Sequence, residues 1–246
     1  MAELLKLVRL SKNFSGLHVL KDVTFEVQSG ERRAIIGPNG AGKTTLFNLI
    51  SGELQPTAGQ VWFEGQDVTG LPPNRMWARG LARTFQKNTL FFQLTAFENV
   101  RLAVQAHHAS AHLWFRPWDS LDSVNAGAGA ILVQLGLWDR RQELAKNLSY
   151  GEQRQLELAI ALAAKPKMLL LDEPTAGMSP AETAHTVELL AALPEELTLL
   201  IIEHDMDAVF SLADRVTVLN YGEVLAHGTP EAMKSDPRVQ EVYLGV

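Results

Sequence analysis

Short apolar runs bounded by polar breakers alternate along the chain with segments of helical spacing. Leu4–Leu10 and Val23–Val27 predict the first strands. Arg33–Ile36 predicts a strand that runs into a Gly-rich turn, and Lys43–Ser51 then has helical spacing. Val61–Phe63 predicts a short strand, and Glu64-Gly65-Gln66-Asp67 after it is a turn signal. Met168–Leu171, Leu197–Ile202 and Val216–Leu219 are apolar runs, broken only by Thr198 and Thr217, which suits strands buried on both faces of a mostly parallel sheet. Val224–Ala226, preceded by Tyr221-Gly222-Glu223, predicts a late hairpin.

The middle of the chain reads differently. From Lys87 to Lys165 strand signals fade, while Ala96–His107, Ile131–Leu137 and Arg154–Ala164 have helical character. Ala109–Gly129, rich in Ala, Ser, Trp and Gly, predicts a loop or loosely helical insertion. The expected organisation is one α/β domain whose core comes from residues 1–86 and 166–246, with 87–165 inserted as a helical subdomain.

The 246 residues suit one large domain or two packed subdomains. Lys and Arg number 22 against 28 Asp and Glu, a formal net charge of -6, which excludes a general nucleic-acid coat and leaves room only for a local basic groove; no nucleic-acid partner is expected. The absence of cysteine excludes disulfides and thiolate metal sites. No secretory signal is visible in Met1–Lys6, and no apolar stretch is long enough to span a bilayer. Any membrane role must therefore run through a partner.

Gly37-Pro38-Asn39-Gly40-Ala41-Gly42-Lys43-Thr44-Thr45 has the spacing G-x-x-x-x-G-K-[ST], between a predicted strand and a predicted helix. Gly40 and Gly42 let backbone N–H groups approach phosphate oxygens, and the helix N-terminus adds aligned dipoles. Lys43 supplies positive charge to the terminal phosphates. Thr44 offers a hydroxyl to Mg²⁺, a cation that takes few protein ligands. Met168–Leu171 then delivers Asp172 and Glu173 to the C-terminal end of a strand, where open α/β sheets place ligands. Side chains alternate along a strand, so the two acids have different tasks. Asp172 is the candidate for Mg²⁺ through a water, and Glu173 the candidate to polarise an attacking water.

Leu148-Ser149-Tyr150-Gly151-Glu152-Gln153 opens a predicted helix, with Ser149 and Glu152 at the spacing of a capping box. A Ser cap and a bare helix N-terminus also make a second anion site. With these residues the chain resembles the ATP-binding subunits of ABC transporters over essentially its whole length. Leu148–Gln153 is similar to the signature LSGGQ, with Tyr150 in place of its first Gly and Glu152 in place of its Gln. Phe14 falls where the family stacks an aromatic on adenine, Gln86 matches the Q-loop glutamine, and His204 matches the switch histidine that meets the γ-phosphate. Ser179 stands where the family commonly has Asp, and no catalytic role is assigned to it.

The resemblance implies a P-loop, RecA-like α/β core with an antiparallel β subdomain and an inserted helical subdomain. It implies ATP hydrolysis with Mg²⁺, the metal shell being completed by Gln86. It also implies a head-to-tail dimer in which Ser149 and Gly151 of one subunit face the nucleotide on the other. Permease subunits in the membrane, a second identical or similar ATPase and, indirectly, a solute-binding protein are the implied partners, with the chain peripheral on the cytoplasmic face. The Leu-Ser-Tyr-Gly spelling, Glu203-His204-Asp205-Met206, the insertion with His107-His108 and Trp114–Trp118, and Tyr243-Leu244-Gly245 resemble the importer ATPases for branched-chain and other hydrophobic amino acids. The urea and amide importers are closely similar. A soluble, non-transport ABC ATPase is the first rival reading and an unrelated phosphate-loop kinase the second. His107, His108 and His112 have no acid partner at ligand spacing and are expected to be solvated.

Overall fold

A computed structural model describes residues 2–84, 90–107 and 122–244. Strands β1 (Glu3–Phe14) and β2 (Leu17–Gln28) form a hairpin, and β3 (Arg32–Ile36) leads into helix α1 (Lys43–Ile50). Strands β4 (Ala58–Phe63) and β5 (Gln66–Asp67) form a second hairpin, followed by α2 (Pro73–Ala78) and the short β6 (Leu81–Arg83). Three helices come next: α3 (Ala96–His107), α4 (Asp122–Gln134) and α5 (Tyr150–Ala163). Strand β7 (Met168–Asp172), α6 (Pro180–Ala191), β8 (Thr198–Ile202) and α7 (Met206–Leu212) continue the chain. Strands β9 (Arg215–Asn220) and β10 (Glu223–Gly228) and helices α8 (Pro230–Ser235) and α9 (Pro237–Leu244) end it.

The strands form two sheets. An antiparallel sheet has the order β2-β1-β4-β5, and a six-stranded sheet has the order β10-β9-β3-β8-β7-β6. The larger sheet is parallel except where β10 runs antiparallel to β9. Alternation along its central strands divides their side chains between two cores. Met168, Leu170, Leu200 and Ile202 join Phe47 of α1 and Leu5 and Phe63 of the antiparallel sheet. Leu169, Leu171, Leu199 and Ile201 join Leu132, Leu156 and Leu190 of the helices. Burial on both faces explains why these strands carry no polar alternation.

Several boundaries differ from the sequence reading. The helix predicted over Lys43–Ser51 ends at Ile50, with Ser51 as its C-cap. Helix α4 begins inside Ala109–Gly129, expected to be a loop or loosely helical, and is helical from Asp122 on. Its two glycines allow close packing: a Cβ on Gly127 would meet Val104 at 3.4 Å, and one on Gly129 would meet Trp138 at 3.2 Å. The helical segment predicted over Ile131–Leu137 stops at Gln134, because Gly136 takes a left-handed φ of 69° and Leu137 N–H returns to the Leu132 carbonyl at 2.8 Å. The turn at Glu64–Asp67 includes a two-residue strand, and β6 is too short for any periodicity to announce it.

Candidate functional site

Residues 37–42 link β3 to α1, and Gly42 caps α1 at φ 101°. A Cβ there would stand 2.7 Å from Leu20 Cδ2 and 2.9 Å from the Val19 carbonyl oxygen, so both the conformation and the space require glycine. Asn39, Gly40 and Thr44 are exposed, Pro38 and Thr45 half-buried, and Gly37 and Ala41 buried. Lys43 is buried, and its ammonium donates to the carbonyl oxygens of Gly37 at 2.6 Å and Pro38 at 3.1 Å. Burial pulls its pKa down, opposed by the charges of Glu173 and Asp172. A turn with left-handed φ at Gly40 (82°) and Gly42 (101°) thus leads into a helix N-terminus with a partly desolvated cation beside it, an arrangement suited to polyphosphate.

Asp172 ends β7 and is buried. Its Oδ2 accepts from Arg83 Nη2 at 2.9 Å, while Oδ1 has no hydrogen-bond partner among the described residues. Burial pushes its carboxyl above the usual range, with Arg83 opposing. Glu173 leaves the strand. Its N–H still donates to the Ile202 carbonyl at 2.9 Å, but its φ of 51° is left-handed. The acids therefore diverge by a backbone reversal as well as by strand alternation.

His204 Nε2 lies 2.8 Å from Glu173 Oε1. Glu203, which the sequence reading did not single out, arranges both loops. It is buried, accepts from Thr175 N–H at 3.1 Å and from the Thr175 hydroxyl, and accepts from His204 N–H at 2.8 Å. Its one sequence signal is an acid directly after an apolar strand. Arg83 was also missed, because its partners lie far apart in sequence.

Ser149 caps α5 as its spacing predicts: its side chain accepts from Glu152 N–H at 3.3 Å, and Glu152 accepts from Ser149 N–H at 2.8 Å. Gly151 is buried against Glu182 of α6. Tyr150 donates to the Ala176 carbonyl at 3.2 Å and accepts from Arg154 Nη2 at 2.9 Å, so this helix start is tied to the loop after Glu173. Among the described residues no side-chain bond joins Ser149 to the loop at 37–45. Phe14 is exposed, with Lys12 Nζ 4.9 Å from its ring centroid. Gln86, His108 and His112 lie outside the described residues, as does Trp114–Trp118.

Fold and site together define a phosphate-loop nucleoside triphosphatase, with its anion cradle at the carboxyl end of a parallel sheet and two acids beside it. The sequence profile described as ABC transporter matches residues 20–176, and one described as branched-chain amino acid ATP-binding cassette transporter matches residues 223–246. The chain is 39% identical to the high-affinity branched-chain amino acid transport ATP-binding protein BraF of Pseudomonas aeruginosa, over 98% of each chain. It is 38% identical to the corresponding LivG of Escherichia coli K12, again over 98% of each. Among solved structures, the ADP conformation of MJ1267, an ATP-binding cassette of an ABC transporter, superposes with a TM-score of 0.86 at 32% identity, covering 100% of both chains. The chain belongs to the ABC transporter family, as an ATP-binding subunit that hydrolyses ATP. Subunits of this kind dimerise and work with membrane permeases. Among the described residues no helix is long and apolar enough to cross a membrane.

Proposed function

We propose that this chain powers an ABC importer for branched-chain or other hydrophobic amino acids, peripheral on the cytoplasmic face of the membrane and served by a solute-binding protein. The observation that carries this reading is the match of residues 223–246 to the branched-chain profile, beside full-length similarity to BraF and LivG. The chain acts as a single ATPase domain, with 87–165 as its inserted helical subdomain.

Within that reading, the loop Gly37–Thr45 binds the ATP phosphates and Phe14, exposed with Lys12 over its ring, stacks on adenine. Mg²⁺ fits the donor set. Asp172 Oδ1 is a buried oxygen without a partner among the described residues, and the Thr44 side chain is exposed. Among the described residues no cluster of three or more His, Asp or Glu could form a dedicated metal cage. A cation held mainly by substrate phosphates needs no such cage. Thr44, Asp172 (through a water) and Gln86 would hold it, and it would neutralise charge on the β- and γ-phosphates.

Glu173 polarises the attacking water. His204 fixes the Glu173 carboxylate in the resting state and turns to the γ-phosphate when ATP binds. Ser149 and Gly151 complete the site of a second, identical or similar, subunit in a head-to-tail pair, since within one chain Ser149 makes its bonds to its own helix. The insertion relays closure to the permeases.

Uptake of radiolabelled leucine and urea in the source cell, with and without this gene, tests the cargo. Loss of leucine uptake with urea uptake intact is expected. The reverse pattern would overturn the amino-acid reading.

A further inference from the structure

Arg83 lies in β6, three residues before Gln86, and among the described residues its guanidinium supplies the side-chain hydrogen bond to Asp172. Nη2 donates to Asp172 Oδ2 at 2.9 Å. Nη1 donates to Asn48 Oδ1 at 2.6 Å and Ser51 Oγ at 3.3 Å, and pairs with Glu53 Oε2 at 3.3 Å. Its charge stands 5.8 Å from the centroid of the Phe47 ring. The side chain of Arg83 is 7% exposed and that of Asp172 0%.

Asn48 belongs to the last turn of α1 and Ser51 caps it, while the first turn of α1 carries Lys43 and Thr44. An eight-residue helix is a rod of about 12 Å that transmits position from one end to the other. The planar fork of Arg83 therefore sets where the Asp172 carboxylate stands relative to the Thr44 hydroxyl. It occupies Oδ2 and leaves Oδ1. Neutralising a buried carboxylate needs one charge. Gripping α1, the residues after it and β7 at once needs a fork with several donors.

We propose that Arg83 is a positioning residue for the metal–nucleotide complex, holding Asp172 in register with Thr44 so that Oδ1 is the oxygen presented to the hydrated cation. This rests on the reading of Thr44 and Asp172 as the residues that hold Mg²⁺. It adds a residue whose work is geometric and which touches neither nucleotide nor cation.

The test uses the full chain with a non-hydrolysable ATP analogue and Mn²⁺, whose free ion is counted by electron paramagnetic resonance. Nucleotide affinity is measured in parallel in EDTA. Arg83→Lys keeps the charge and loses the fork. It should weaken Mn²⁺ binding about tenfold, the scale on which partners of metal-holding residues act. Its metal-free nucleotide affinity should stay at the wild-type value. Asn48→Ala, which removes one anchor and keeps the ion pair, should weaken Mn²⁺ binding by a smaller factor than Arg83→Lys, and it decides the matter if Arg83→Lys does not fold. Wild-type Mn²⁺ affinity in the folded variants would overturn the proposal. Thr44→Ala separates the two layers. If it weakens Mn²⁺ binding while Arg83→Lys and Asn48→Ala do not, only the positioning role fails. If Thr44→Ala also binds Mn²⁺ like wild type, the metal assignment itself fails and takes the proposal with it.

Discussion

The imidazole of His204 meets the carboxylate of Glu173 at 2.8 Å, although 31 positions separate them. The two stand at the ends of neighbouring parallel strands, where Asp172 pairs with Ile202 in the ladder. Glu203 locks the arrangement from beneath by accepting from Thr175 on one loop and from His204 N–H on the other. The Glu173 carboxylate is thus held by a partner from the neighbouring strand's loop, which Glu203 itself anchors.

Removing the imidazole tests that relationship. His204→Ala is expected to lower ATP turnover about a hundredfold, within the range for loss of a positioned polar group at a reacting centre. ATP binding should remain intact, since the phosphate loop is untouched. Turnover and nucleotide affinity measured on one preparation check this, and unaltered turnover removes the assignment.

Glu173→Gln keeps the shape and hydrogen-bonding capacity of the side chain and loses its basicity. It is expected to give a dimer that persists in Mg-ATP with little hydrolysis. Light scattering with and without ATP reads the outcome directly. A variant that stays monomeric in saturating Mg-ATP counts against the composite site.

The backbone at Glu173 carries a separate cost. Its φ of 51° places a non-glycine residue in the left-handed region, a cost of about 1–2 kcal/mol. Asn tolerates that region and β-branched residues do not. Glu173→Asn should therefore be more stable than Glu173→Val by about 1 kcal/mol, with both inactive. Equal chemical-denaturation midpoints would show that the loop relaxes.

Ser179 has a structural task that accounts for its residue type. It caps α6, accepting from Glu182 N–H at 3.4 Å while Glu182 accepts from Ser179 N–H at 2.9 Å. Ser179→Ala should cost about 1 kcal/mol, and Ser179→Asp, the residue common in the family, should also destabilise, because the Ser179 hydroxyl donates to Glu182 Oε2 at 2.7 Å and a carboxylate there would face that of Glu182. Thermal unfolding of the two variants compares them. A larger loss for Asp would show that the position is tuned against that residue.

The capping carboxylate of Glu152 links stability to pH. Its partial burial alone would raise its pKa, but hydrogen bonds from Ser149 N–H and hydroxyl, together with Arg140 at 3.0 Å, bring it below the ordinary 4.5. A depressed carboxylate pKa stabilises the fold in full above the unfolded value, and that contribution is lost as pH falls through the folded value. Glu152→Gln should therefore be less stable than wild type near neutrality and match it once the pH is below both values. A stability gap that persists unchanged in acid would contradict this.

Much of the site is written in local spacing. The loop Gly37–Thr45, the Ser149–Glu152 box and the acid pair after Met168–Leu171 each follow from a few consecutive residues, and the structure bears out the capping box and the strand that delivers Asp172. The strands legible as largely apolar runs are those buried on both faces, where only the buried Thr198 and Thr217 interrupt the apolar sequence. The first turns of α4 read as either loop or loose helix because Gly127 and Gly129 weaken a helix locally, and only the neighbours Val104 and Trp138 make small residues useful there. Strand β6 escaped because three residues show no period; pairing with β7 makes it a strand.

The sequence by itself determined the chemistry available: a nest of backbone donors, one lysine, one threonine hydroxyl, two acids and a histidine, in a fixed order. The tertiary structure decided who meets whom. It set His204 against Glu173, turned Glu173 out of its strand, placed Glu203 under both loops and closed Arg83 onto Asp172. The physical reason is that spacing is read along the chain, whereas these contacts arise from parallel strands whose carboxyl ends converge only when the sheet assembles around its two cores.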